Sequence, residues 1–234
     1  MRALSSSETL ALWERGACWH PLDRGLLALS FADASAGESV ADWPLGRRNR
    51  ALLELHATWF GSLLEAWAAC PQCGEKLEFE LNVRDLMAPQ SDEKQLATVA
   101  VEAQIFRLPT TRDLAEVAKS SDEQQAVIQL LALCRIGGVE SCGWTDEIIE
   151  KVGESLATVD PMAETRVALT CPACDHAWND SIDFASFIWA ELEARARRLL
   201  WEVHSLASAY GWSESETLAL SAARRALYLE MVRA

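Results

Sequence analysis

The sequence predicts a mainly α-helical protein built around a small β unit, an α+β arrangement. In the first and last thirds of the chain, apolar residues recur at intervals of three and four, which is typical of amphipathic helices. Two Cys-Pro-x-Cys motifs, beginning at Cys70 and Cys171, separate these thirds. Alternating apolar and polar residues follow each motif, which favours half-buried strands.

The two motifs together supply four thiolates, from Cys70, Cys73, Cys171 and Cys174. A gap of two residues lets one tight turn direct both sulfurs of a motif at the same ion. Four thiolates complete the tetrahedron of a structural Zn²⁺ site, and two matching motifs are a stronger signal than one. The sequence therefore predicts one structural zinc ion in a zinc ribbon.

Two other interpretations of these motifs remain open. A Cys-x-x-Cys pair can be redox-active, but that motif is expected between a strand and a helix, and here strand-like sequence follows both. His176 lies close enough in sequence to replace one cysteine as a ligand. A closed site with four thiolates has no open position for water, so we expect the metal to support structure rather than catalysis.

The motifs also divide the chain. We predict an N-terminal helical arm over 1–69, a zinc ribbon over 70–183 with its two halves at 70–82 and 165–183, a helical lobe inserted at 96–157, and a C-terminal helical arm over 184–234. Roughly a hundred residues separate the two motifs. A shared ion would join the helical arms and remove the entropy of a long loop from the unfolded chain.

Individual elements follow from caps and breakers. In the N-terminal arm, Ser7 can cap a helix ending near Gly16, Pro21 can open a second, residues 32–41 form a loop, and a long helix extends from about Arg47 to Trp67.

In the insertion, residues 91–94 read as a loop and Leu96 to Phe106 as a strand. Three helices follow: one from near Arg112, one capped by Ser121 and stopped at Gly137-Gly138, and one opened by Thr145. In the C-terminal arm, a helix from Phe184 is stopped by Gly211, and Ser213 and Ser221 cap two shorter helices.

Composition limits the class of protein. The 234 residues are 50% hydrophobic and carry a net charge of −14, which argues against nucleic-acid binding because phosphate contacts need a basic surface. The odd number of cysteines favours a reducing compartment. With no secretion signal and no apolar run long enough to span a membrane, we expect a cytoplasmic protein.

Catalytic motifs are missing from the sequence. It contains no phosphate-binding glycine loop, dinucleotide-binding fingerprint, zinc-protease helix or serine nucleophile elbow. Cys134 and Cys142 flank two glycines and could include a nucleophile, although a buried inert cysteine is more common. We therefore predict a non-enzymatic protein without a small-molecule substrate.

Arginines and tryptophans suggest protein binding. Ten tryptophans is a high count for this length, and Trp and Arg are the residue types that anchor protein interfaces. The arginines form local clusters, one of which is Arg195, Arg197 and Arg198. Solvated helix faces are the alternative interpretation of these clusters.

The C-terminal stretch is similar to a known family. Its order of residues resembles the tail of the T4-type phage baseplate proteins, and other stretches resemble a two-knuckle relative encoded with contractile injection systems. The two cysteine motifs depart from the phage hub protein. The matching C-terminal residues are His204, Leu206-Ala207, Tyr210-x-Trp212-Ser213-Glu214, Leu218-x-Leu220, Arg224-Arg225 and Tyr228-Leu229, and the others are Trp13-Glu14-Arg15-Gly16, His20-Pro21-Leu22-Asp23-Arg24, Pro44-Leu45-Gly46-Arg47-Arg48-Asn49 and Phe106-Arg107-Leu108-Pro109-Thr110-Thr111-Arg112-Asp113-Leu114.

This resemblance implies a structural or assembly component of the baseplate of a phage-tail-like contractile injection system, with baseplate or tail subunits as partners. A soluble assembly chaperone absent from the mature particle is the alternative in that setting, and a zinc-ribbon regulator associated with nucleic acid is the alternative from another class. The candidate partner surface is a C-terminal hook formed by Tyr210, Trp212, Arg224, Arg225 and Tyr228. The alternative is that its aromatic residues close the protein's own core.

Overall fold

The computed structural model describes residues 2–32, 40–87, 98–138 and 144–233, without the side chain of Arg233. The predicted loop at 91–94 and the candidate nucleophile Cys142 lie outside these residues, as do most of the predicted loop at 32–41 and the beginning of the predicted strand at Leu96.

The chain begins with three helices and a short 3₁₀ turn. The first helix starts two residues earlier than predicted, because Ser5 rather than Ser7 is its N-cap. The Ser5 hydroxyl accepts the backbone N–H of Glu8, and the Glu8 carboxylate accepts the N–H of Ser5. The bounds are α1 (Ser6–Gly16), α2 (Pro21–Ala32), the 3₁₀ turn (Val40–Asp42) and α3 (Leu45–Trp59).

The long helix predicted from Arg47 to Trp67 is wrong in its second half. Helix α3 ends at Trp59, and strand β1 (Leu63–Ala69) follows. Gly61, with φ +108, lies in a backbone conformation that a helix excludes. Alternate residues of β1 are buried, so the apolar spacing that suggested a helix belongs to a strand with tryptophan on its exposed face.

Two antiparallel hairpins contain the cysteine motifs. Strand β1 pairs with β2 (Lys76–Asn82), and β6 (Thr165–Thr170) pairs with β7 (Ala177–Ile182). The strands predicted after each motif and before the second motif are confirmed.

The insertion between the hairpins combines a small sheet with helices. Strands β3, β4 and β5 form an antiparallel sheet in that order, and the predicted strand from Leu96 to Phe106 is in fact a hairpin. Asp122 rather than Ser121 caps the middle helix. The bounds are α4 (Val83–Leu86), β3 (Thr98–Val101), β4 (Gln104–Arg107), α5 (Thr111–Val117), α6 (Glu123–Cys134), β5 (Arg135–Gly138) and α7 (Asp146–Val159).

The C-terminal helices follow the predicted caps. Helix α8 (Phe184–Tyr210) ends at Gly211, which has the left-handed conformation expected of a terminating glycine. Ser213 and Glu216 form the predicted capping box of α9 (Glu214–Ala219), and α10 (Ala222–Arg233) follows.

One main core joins the two ends of the chain. Most of its buried residues come from α1, α2, α3 and β1 and from the first half of α8, where Ile188 and Leu192 are almost fully buried. A second cluster around Phe106 and Val152 is built from residues of the insertion. The described chain is therefore a mixed α/β protein with small sheets. None of its described helices is long and apolar enough to cross a membrane.

Candidate metal centre

The two cysteine motifs occupy the tips of the two hairpins and share one backbone geometry. In the first, the N–H of Cys70 donates to the carbonyl of Glu75, and the N–H of Gly74 donates to the carbonyl of Cys70. In the second, Cys171 bonds to His176 and Asp175 bonds back to Cys171 in the same pattern. Each hairpin therefore presents its two thiols from the same tight turn.

The four sulfurs of Cys70, Cys73, Cys171 and Cys174 form one cluster and lie within 4.8 Å of one another. The Sγ atoms of Cys70 and Cys174 are 3.7 Å apart, and those of Cys73 and Cys171 are 3.5 Å apart. A tetrahedron with metal–sulfur bonds of about 2.3 Å has sulfur–sulfur edges of about 3.8 Å. Both pairs join one hairpin to the other, as expected of an ion shared between them.

Backbone N–H groups direct their hydrogens at these sulfurs. Burial opposes ionisation of Cys70, but hydrogen bonds from the N–H groups of Cys73 and Gln72 and from neighbouring thiols outweigh it and lower its pKa to about 7. The same kind of bond from His176 favours ionised Cys174, but burial and the neighbouring thiols raise its pKa to about 12.

Four thiolates within 4.8 Å of one another would repel strongly, and a cation among them would offset that repulsion. The cluster could therefore bind a metal ion, which would displace the remaining protons. All four positions of a tetrahedron are filled by protein, so the site has no place for a reacting water.

His176 contributes through its backbone instead of its imidazole. Its carbonyl accepts the Cys171 N–H, and its N–H donates to Cys174. The ring stacks on Trp178 at a centroid distance of 6.0 Å and does not belong to the group of possible ligands. The sulfurs are free thiols, so neither motif forms a disulfide in this structure.

Cys134 is fully buried. Burial and the nearby carboxylate of Asp113 raise its pKa to about 11, so it is a protonated thiol at neutral pH. An activated cysteine, by contrast, lies in partly exposed, electropositive surroundings that lower its pKa.

The predicted C-terminal hook is brought together only in part. Tyr210, Trp212 and Tyr228 pack as one aromatic cluster with ring centroids 4.8 to 5.7 Å apart. Arg224 is exposed and precedes Tyr228 by four residues in the sequence.

Arg225 was predicted to lie on this surface and does not. It is buried, and its guanidinium donates to Glu202 at 2.7 Å and to the carbonyl of Leu220 at 2.6 Å. These bonds fix α10 against α8, so Arg225 serves the packing of the two helices.

Sequence reasoning missed an exposed face on the first hairpin. Trp67 is 68% exposed, and Leu63 lies on the same side of β1. In the register of the hairpin, Trp67 is opposite Glu78 and Leu63 is opposite Asn82, with the pair Glu65 and Glu80 between them. Reading residues 63–69 with a period of two instead of 3.6 would have placed Trp67 on this face.

Comparison with protein-family models, with curated proteins and with solved structures gave no significant match for this chain. Fold and site thus define a mixed α/β protein in which two hairpins bring together four cysteines that could bind a metal ion.

Proposed function

We propose that this protein is a non-enzymatic zinc protein that forms part of, or assembles, the baseplate of a phage-tail-like contractile injection system. The four-cysteine cluster at the hairpin tips carries the metal-binding half of this proposal. The resemblance of the C-terminal stretch to T4-type baseplate proteins carries the other half. The two halves are separate and are tested separately.

Zinc is the metal that suits the ligands best. Four thiolates in a tetrahedron favour Zn²⁺ over the hard cations Mg²⁺ and Ca²⁺, which prefer oxygen. Two hairpins holding one ion in this way form a zinc ribbon. Its role would be to hold the hairpin tips together rather than to activate water.

Metal analysis of purified protein tests the zinc site. We expect one zinc ion per chain in the wild type and a loss of most of it in Cys70→Ser and in Cys171→Ser, because each change removes a ligand from the same ion. Cys18→Ser is the matched control, since Cys18 is exposed and distant in sequence from both motifs. Wild-type zinc content in both ligand variants would contradict a shared site.

Binding of other proteins is supported by the exposed face of the first hairpin. Trp67 is 68% exposed on this face, and tryptophan is a frequent anchor of interfaces. The carboxylates of Glu65, Glu78 and Glu80 share this face with Trp67, so a partner with basic side chains fits it.

Gradient sedimentation from the native host tests the baseplate role. A tagged copy that travels with sheath and tube proteins would be a structural component of the particle. A copy found only in a light fraction with one or two baseplate subunits would be an assembly chaperone. If neither fraction contains tail-like proteins, the proposed setting is wrong, whatever the zinc content. Salt-dependent DNA or RNA binding would then favour the regulator.

A further inference from the structure

A cleft of about 470 Å³ opens between α8 and the ends of three other helices. The end of α3 contributes Trp59 and Phe60, and the first turns of α1 and α10 contribute Ser6 and Ala222. This volume is typical of small-ligand sites, and the cleft is separate from the cysteine cluster. The N-termini of α1 and α10 add a positive partial charge to the cleft, and the C-terminus of α3 adds a negative one, part of which is met by the bond from Arg195 to the carbonyl of Trp59.

Three arginines line this cleft, which is unexpected in a chain with a net charge of −14. Arg195 and Arg198 lie one turn apart on α8, and Arg225 approaches from α10. Burial lowers the pKa of Arg195, and the charges of Arg198 and Arg225 lower it further. Glu202, which also lines the cleft, offsets the charge of Arg225. Arg195 and Arg198 still repel one another, and an anion bound between them would relieve that repulsion.

Two of these arginines keep donors for a ligand. Arg225 is committed to Glu202, while Arg195 makes one long bond of 3.4 Å to the carbonyl of Trp59. Within the described residues, Arg198 forms no ion pair. The carboxylate of Glu191 also lines the cleft but forms no ion pair with Arg195 or Arg198 in the described part of the chain.

We propose that this cleft binds an oxyanion, either a carboxylate or a phosphate, through Arg195 and Arg198. The planar guanidinium matches both groups with paired hydrogen bonds. The apolar wall formed by Trp59, Phe60 and Leu199 would contact the part of the ligand that carries the oxyanion. This site does not depend on the metal centre or on the baseplate assignment.

Calorimetric titration of the full chain tests the proposal, with inorganic phosphate and a triglutamate peptide as separate probes at low, matched ionic strength. We expect saturable binding at one site for at least one probe. Arg198→Ala and Arg195→Gln should each weaken it about tenfold or more, because each removes charge-assisted hydrogen bonds.

Arg197→Ala is the matched control. Arg197 is the neighbour of Arg198 on α8, is largely exposed and pairs with Glu193 at 2.7 Å, so its loss changes the net charge equally without touching the cleft. We expect the affinity of Arg197→Ala for the probe to stay within about twofold of the wild-type affinity. Binding of phosphate alone would identify a phosphoryl ligand, and binding of the peptide alone an acidic segment of a partner. Equal weakening by Arg197→Ala and Arg198→Ala, or no saturable binding of either probe, would overturn the proposal.

Discussion

Each cysteine turn depends on the residue four positions after its first cysteine. Gly74 and Asp175 both have positive φ, of 76° and 56°, and both donate their N–H to the carbonyl of that cysteine. Glycine adopts this conformation freely, and aspartate is one of the few other residues that tolerate it. The two motifs thus form the same turn although one lacks the glycine.

Asp113 is the residue whose loss we expect to cost most in the insertion. It is buried, receives two bonds of 2.6 and 2.7 Å from Arg107, and accepts the N–H of Thr110, the N-cap of α5, to complete a capping box. Asp113→Ala leaves Arg107 without its carboxylate partner and removes the carboxylate half of this capping box. We expect a fall of about 2–3 kcal/mol in the free energy of unfolding, measured by urea denaturation at pH 7.

Glu147→Ala is the control for this change, because its pair with Lys151 at 2.8 Å is exposed to solvent and should contribute little to the free energy of unfolding. If both variants lose a similar amount of unfolding free energy, burial does not make the Asp113 pair more stabilising than an exposed pair.

The pair of Asp113 with Arg107 also predicts that the free energy of unfolding depends on pH. Burial opposes ionisation of Asp113, but the bonds from Arg107 and Thr110 outweigh it and hold its pKa below the ordinary value of 3.8. Its stabilising effect is therefore complete above that value and is lost as the pH falls below it. The difference in unfolding free energy between wild type and Asp113→Ala should narrow in acid, and a constant difference down to pH 2 would exclude this linkage.

At the scale of elements, backbone conformation decides where helices end. Gly211 has φ +70 and terminates α8, whereas Gly153 lies inside α7 with open space around its Cα. A residue with a Cβ at position 211 would be strained by the left-handed backbone conformation, even though no atom lies near the added Cβ. A Cβ at Gly153 only reduces the freedom of the unfolded chain.

The two glycines therefore predict opposite effects of the same substitution. Gly211→Ala should lower the free energy of unfolding by about 1 kcal/mol, and Gly153→Ala should raise it by about 0.5–1 kcal/mol. Thermal and urea denaturation of both variants measure the two effects. If the changes have the same sign, the left-handed end of α8 is not the cause.

At the scale of the whole molecule, the helices at the two ends of the chain already share a hydrophobic core. Residues of α1, α2 and α3 pack with Phe184, Ile188 and Leu192 of α8. A zinc ion at the hairpin tips would therefore add to an existing contact between the ends of the chain. It is not needed to create that contact.

Metal removal should consequently loosen the hairpins more than the helices. After treatment with a chelator, we expect faster hydrogen exchange at the amides of β1, β2, β6 and β7 and little change in α3 and the first half of α8. Far-ultraviolet circular dichroism should keep most of its helical signal. Collapse of the helical signal together with the hairpins would mean that the core depends on the metal.

The sequence by itself determined the strands after each motif, the glycine end of α8 and the capping box of α9, because these features depend on residues close together in the chain. It also predicted the four cysteines as one group, because a tetrahedral ion needs four ligands and each motif supplies two. It could not determine that residues 63–69 form a strand, since a spacing of three and four also contains alternating positions. Only the tertiary structure decided that Arg225 is buried and that Arg195 and Arg198 face a cleft, because helices distant in sequence form these environments.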